Sequence, residues 1–215
     1  MHRKFFKELG VKTGLAAVVL LCLCLALPAL ARAGEPADQV RQSVEELRKV
    51  FKEHKGPERN AKLRAIVKGR FDFEEMARRS LARYWKERTP EERKEFVALY
   101  SDLLENIYLK KIKQHEGEVQ KHEEDKVVYL GESIDDTFAS VRTKIITFAG
   151  REIPVEYKLL RRNGKWKAYD VAIEGVSLIN NYRTQFSQII RSGSYEDLVR
   201  RMRNKQIAAP EEKTK

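Results

Sequence analysis

An α+β domain is the fold class the sequence predicts, and three observations predict it. From Gly34 to about residue 117 the apolar side chains recur at helical spacing; from Val127 to Ile173 they alternate with polar ones; from Val176 to Met202 the helical period returns. Helices, then an antiparallel meander, then closing helices give segregated layers rather than a βαβ succession.

Local signals justify each element in turn. Val40, Val44, Leu47 and Phe51 share one stripe of a first helix ending near His54, and Gly56-Pro57 breaks it. Leu63, Ile66 and Val67 predict a short second helix. Asp72 with Glu75 has capping-box spacing, and Phe73, Met76, Ala77, Leu81 and Trp85 follow as one stripe. Thr89-Pro90-Glu91-Glu92 supplies an N-cap, a proline at the first helical position and a glutamate at the third. The helix it opens carries Phe96, Leu99, Tyr100, Leu103, Leu104, Ile107 and Tyr108, an unusually broad apolar surface. Val127 to Leu130 is a short β-rich run, and Ala139, Val141, Thr143, Ile145 and Thr147 alternate with Ser140, Arg142 and Lys144. Ile153, Val155, Tyr157 and Leu159 alternate with Glu156 and Lys158. Asn163-Gly164 is a hairpin signal, Trp166 to Ile173 returns as a strand, and Glu174-Gly175 leads into a helix bearing Val176, Ile179, Phe186, Ile189 and Ile190. A last helix starts near Ser194, and the tail from Ala208 is polar.

Ahead of this domain, Arg3, Lys4, Lys7 and Lys12 precede the uncharged run Leu15–Leu27, and Ala31-Arg32-Ala33 has the spacing that signal peptidase reads. These are the parts of a secretory signal peptide cleaved after Ala33. A run of about 13 apolar residues falls short of the ~20 that a membrane-spanning helix needs. The expected organisation is therefore a signal at 1–33, one domain at 34–207 and a polar tail at 208–215, in a periplasmic protein. Both cysteines fall inside the signal, so thiolate metal sites and thiol redox chemistry are excluded from the mature chain. The formal charge of +11 drops to about +7 without residues 1–33. Outside the cytoplasm, a basic surface meets phospholipid head groups or acidic protein faces rather than nucleic acid; a merely solvated Lys/Arg surface is the alternative.

Catalytic constellations are not apparent. No H-E-x-x-H, G-x-S-x-G, P-loop or G-x-G-x-x-G occurs. His115-Glu116 and His122-Glu123-Glu124 lie in a polar, Lys-rich stretch and read as solvated surface rather than a metal cluster. Asp135-Asp136 reads as a turn. Asp170, within the strand Trp166–Val171, must be paired or hydrogen-bonded if it faces inward. The expectation is a protein that is not an enzyme and uses no cofactor.

Two stretches, MARRSLARYWKERTPEERKEFVALYSDLL from Met76 and GKWKAYDVAIEGVSLINNYRTQFSQIIRSGSYEDLVRRM from Gly164, resemble the MlaC or toluene-tolerance family. The most specific tokens are R-Y-W ahead of T-P-E-x-R and W-K-A-Y-D-V followed by E-G-V-S. The resemblance implies an NTF2-like fold, a curved antiparallel sheet packed against several helices around an apolar cavity. It implies a monomeric carrier of phospholipid acyl chains between an outer-membrane lipoprotein complex and an inner-membrane ABC transporter with an MCE-domain subunit. Periodicity alone leaves open whether the layers part around a cavity or simply pack thickly. The lining expected of a cavity is Leu81, Phe96, Leu99, Tyr100, Leu103 and Ile107 from the helices. From the sheet and closing helix it is Val141, Ile145, Val155, Tyr157, Tyr169, Val171, Ile173, Val176 and Ile179. An adaptor with a solid core, or a carrier of a hopanoid or fatty acid, would fit the same pattern.

Overall fold

The computed structural model describes residues 35–114 and 126–209, with side chains described for 36–107 and 126–209. The leader and its cleavage site, the side chain of Tyr108, both downstream histidines and the last residues of the tail lie outside the described residues. Helices α1 (Glu35–Glu53), α2 (Gly56–Arg70) and α3 (Phe73–Leu81) lead through a 3₁₀ turn (Ala82–Glu87) to the long α4 (Pro90–Gln114). Strands β1 (Lys126–Asp135), β2 (Phe138–Ile146), β3 (Glu152–Arg162), β4 (Lys165–Ile173) and β5 (Val176–Ser177) follow, then α5 (Leu178–Ser192) and α6 (Tyr195–Arg203). The described residues from Pro36 onward belong to one compact unit.

Helix starts follow their capping signals. Thr89 and Glu92 form a reciprocal capping box: the Thr89 amide donates to Glu92 Oε2 at 2.8 Å, and the Glu92 amide to Thr89 Oγ1 at 3.2 Å. Asp72 caps α3 by accepting from the Glu75 amide at 3.0 Å, but the reciprocal half is missing because Glu75 turns to Arg78 and Arg79. Gly56-Pro57 not only ends α1 but opens α2, which runs longer than its few apolar residues suggest; proline fits the first helical turn, where its missing N–H has no partner to lose. The stripe from Phe73 to Trp85 does not continue as one helix. It breaks at Ala82, whose φ of 52° and ψ of −122° are glycine territory and cost about 1–3 kcal/mol.

All strand neighbours are antiparallel, in the order β1-β2-β3-β4-β5 of a curved, open meander. Two tight turns have positive φ at both central residues, Asn163-Gly164 (52° and 74°) and Glu174-Gly175 (50° and 79°); this twist matches that of paired strands. The second turn forms β5, so Val176 is in a strand and the helix begins two residues later than the apolar period suggests. β1 also extends well beyond Val127–Leu130.

Register sorts the strand side chains onto two faces. Val141 opposes Tyr157, which opposes Val171; Thr143 opposes Val155, which opposes Ile173. This first face is covered at one end by α1, where Val40 joins Ala139, Val141, Leu159 and Trp166, with Ala37, Val44, Tyr129 and Tyr157 at the margin. The opposite face receives α3, α4, α5 and α6. A register shift in β4 makes Leu159 oppose Ala168 and Lys158 oppose Asp170, so Tyr169 bulges out to the helix side. There it joins Leu81, Phe96, Tyr100, Leu103, Tyr182, Phe186 and Leu198 in the larger core.

The same bulge presents Asp170. Its carboxylate is buried and accepts from Ser177 Oγ at 2.7 Å and from the Ile179 amide at 3.1 Å. Ser177 Oγ in turn accepts from the Asn180 amide at 3.1 Å, completing the N-cap of α5. The remaining outer edge of β4 is closed by a bridge from Phe71 to Ala168, with the Asp72 amide donating to the Ala168 carbonyl at 2.9 Å.

Two predictions follow from this architecture. Asp170→Ala removes the acceptor for a buried backbone N–H and loosens the cap; chemical denaturation should show a loss of about 2–3 kcal/mol. An unchanged midpoint would refute the anchoring role. Tyr195 has its phenol pushed up to about 12, by burial first and by the Glu92 carboxylate second. Its neutral form is favoured by folding, so that contribution is intact below pH 10 and is lost between pH 10 and about 12. Thermal melts across that window should fall more steeply for the wild type than for Tyr195→Phe.

Candidate functional site

The first sheet face carries an apolar ladder with graded exposure. Val141 is fully buried and Val155 is 5% exposed, whereas Ile173, at the end of β4, is 45% exposed. Ile145 pairs with Ile153 across β2 and β3, and Ile173 pairs with Val176 across β4 and β5, which continues the ladder towards the hairpin end. Phe148, at the tip of the β2–β3 hairpin, is 68% exposed. The few polar groups on this face are muted. Thr143 is 1% exposed and its hydroxyl donates to the Val155 carbonyl at 3.3 Å. Burial raises the Tyr157 phenol above its ordinary value, against a hydrogen bond with Thr143 that lowers it. Tyr129 is raised mainly by burial, with the Arg41 guanidinium 4.0 Å from its ring centroid acting the other way. Two polar atoms here, Trp166 Nε1 and Tyr129 Oη, are buried without a partner among the described residues.

The helix side differs in kind. Phe96, Tyr100, Tyr182 and Phe186 interlock with ring centroids 5.5–6.2 Å apart. Leu81, Phe96 and Tyr100 have no exposed surface. Ser80 Oγ donates to Tyr100 Oη at 3.0 Å, which satisfies a hydroxyl inside this cluster. The breadth of the apolar surface on α4 is thus used on three helices at once: α3, α5 and α6. At the border with the sheet, Glu75 is 5% exposed and sits between Arg78 and Arg79, each 2.6 Å away. Burial alone would raise its carboxyl, but the two guanidiniums outweigh that and hold it below the ordinary value. Arg79 also lies 4.1 Å from the Tyr169 ring centroid, stacking the cation on the bulged residue.

The residues expected to line a cavity therefore fall into two groups separated by the sheet. Val141, Ile145, Val155, Tyr157, Val171, Ile173 and Val176 share the first face. Leu81, Phe96, Leu99, Tyr100, Leu103, Ile107, Tyr169 and Ile179 belong to or pack against the helical cluster. Sequence reasoning left out Thr143 and Ile153, although their alternation with Val141, Ile145 and Val155 marks them for the same face. It also left out Val40 and Trp166, the former on the helix stripe that covers the sheet. The bulge had a signal too: the apolar positions of β4 switch parity between Ala168 and Val171. Among the described residues no group of His, Cys, Asp and Glu could hold a metal ion, and no helix is long and apolar enough to cross a membrane.

Comparison with known proteins is consistent across three levels. The family model of the MlaC protein matches residues 38–204. The intermembrane phospholipid transport system binding protein MlaC of Haemophilus influenzae is 26% identical over 125 residues, covering 57% of this chain and 56% of that protein. The match thus spans little more than half of that relative's length. The crystal structure of a phospholipid-binding protein from Ralstonia solanacearum, in complex with a phospholipid, superposes with a TM-score of 0.66 at 22% identity. It covers 80% of this chain and 96% of that one, and establishes the shared fold. With its family model matched across nearly the whole described domain, the chain belongs to the MlaC family.

Proposed function

We propose that this protein is a periplasmic phospholipid carrier that shields acyl chains against the first face of its sheet. The observation that carries the reading is the graded ladder, buried under α1 at Val141 and opening to solvent at Ile173. A lipid chain costs about 0.8 kcal/mol per methylene left in water, so two chains with roughly 30 methylenes do not cross an aqueous gap bare. A dry surface that accepts the chains at an open end lowers that barrier without needing to hold them more tightly than a bilayer does. Val155, Tyr157, Val171, Ile145 and Ile173 provide such a surface; the aliphatic side chains tolerate chains of varied length because nothing on them demands a directional partner.

Of the two groups, the sheet group suits a ligand that comes and goes. The helical group is already filled by interlocked rings, and opening it would expose the core that holds four helices together. The head group stays at the mouth, where basic side chains supply charge without strict selectivity. Support for phospholipid as the ligand comes from the family and from the bound lipid of the Ralstonia protein. Exchange with an outer-membrane lipoprotein complex and with an inner-membrane ABC transporter through its MCE-domain subunit belongs to the same reading. No covalent step and no cofactor is needed, since the cargo leaves as it arrived.

Native mass spectrometry of the chain from Gly34 to Lys215, purified from bacteria, tests the reading. Stoichiometric phospholipid is expected, and Val155→Glu should fold but lose the bound lipid, because a carboxylate in the ladder is desolvated by each arriving chain. A clean apo mass that is unchanged after incubation with phospholipid vesicles would replace the carrier by an adaptor with a solid core. Full retention of lipid by Val155→Glu would move the chains off this face.

A further inference from the structure

On the helix side, away from the ladder, an open cleft of about 400 Å³ is lined by Ala82, Arg83, Arg183, Thr184, Ser187 and Arg191. Arg183, Ser187 and Arg191 recur every four residues and so form one row along α5, while Arg83 comes across from the 3₁₀ turn. The unusual backbone at Ala82 is what ends α3 there and turns the chain so that Arg83 faces this row. Three cations converge, and no acid lines the cleft among the described residues.

Several arginines elsewhere in the domain are matched to carboxylates. Arg70 pairs with Glu46 at 2.7 Å, Arg78 and Arg79 with Glu75 at 2.6 Å, Arg151 with Glu174 at 2.9 Å and Arg162 with Asp72 at 3.2 Å. The cleft arginines are instead held by neutral acceptors. Arg183 Nε donates to the Arg79 carbonyl at 3.0 Å, Arg191 Nε to the Ser187 carbonyl at 3.3 Å, and Arg83 Nη2 to Tyr84 Oη at 2.8 Å. Glu87, whose field reaches Arg83, lies 3.5 Å from Arg88. Each guanidinium is thereby oriented while most of its N–H groups stay uncommitted. Thr184 Oγ1 uses its proton on the Asn180 carbonyl at 3.0 Å, so Ser187 supplies the hydroxyl donor.

We propose that this cleft binds a phosphate-type oxyanion, with Arg83, Arg183 and Arg191 as the charged donors and Ser187 as the hydroxyl donor. Guanidinium is the side chain that matches tetrahedral and planar oxyanions with paired N–H groups, and three of them around a lining that holds no carboxylate among the described residues favour an anion of more than one negative charge. The openness of the cleft fits a phosphate that keeps part of its hydration, either free in solution or carried by a lipid head group at a bilayer surface. The site lies on other elements than the ladder and does not depend on the carrier reading.

The test uses inorganic phosphate as the probe. Amide NMR titration of the chain from Gly34 to Lys215 should show saturable shifts confined to residues 82–84 and 183–191. The double variant R83Q/R191Q leaves the Arg183 tie to the Arg79 carbonyl intact and should keep the wild-type melting temperature and lipid stoichiometry while losing at least tenfold in phosphate affinity. Flotation with phosphatidylglycerol vesicles that is competed by phosphate would assign the anion to a lipid head group. Flotation unaffected by the variant, while the variant loses the phosphate shifts seen in the wild type, would assign it to a free phosphate compound. Three results would overturn the proposal: no saturable shift at tens of millimolar phosphate, equal affinity in the variant, or binding of an acidic peptide that phosphate does not compete.

Discussion

The Asp170 carboxylate accepts from Ser177 Oγ and from the Ile179 amide, so one buried charge fixes both the turn that follows β4 and the first turn of α5. Through α5 it also fixes where Tyr182 and Phe186 meet α4, and through α6 where Tyr195 and Leu198 close the cluster. The carboxylate reaches this position because the chain bulges at Tyr169; in a regular strand the residues of β4 would keep strict alternation, and the two would not both serve the helix side. An acid in a strand, poorly suited by propensity alone, is therefore the joint between the layers.

A sheet used on both faces explains how a domain of this size accommodates two different jobs. The helical face is filled with interlocked rings and supplies rigidity. Among the described residues, the amphipathic helix α1 covers one end of the ladder face. On the carrier function proposed above, the ladder has to release what it holds, and aliphatic contact with no directional bond meets that need. On the outer side of the helices, away from the ladder, Arg83, Arg183 and Arg191 gather.

Much of this was legible in the sequence because local chemistry decided it. The capping box at Thr89 and Glu92, the helix start at Ser194 and the turn at Asn163-Gly164 each formed where residue type demanded. What was not legible depended on long-range partners. The stripe running on to Trp85 gave no warning of the break at Ala82, and Val176 reads as helical until it is seen paired with Ile173. Periodicity names an apolar face but not its neighbour, so it could not divide the expected lining between two sides of the sheet. The parity switch in β4 was the one available clue, and it is silent about which side a bulged tyrosine chooses.

The sheet as partition also bears on how such a protein can change over generations. Substitutions among residues that share no contact add independently, whereas neighbours constrain one another. Because the ladder and the ring cluster lie on opposite faces of the sheet, the proposed cargo surface can drift towards wider or narrower chains one residue at a time while the packing of the ring cluster is left to a separate set of positions.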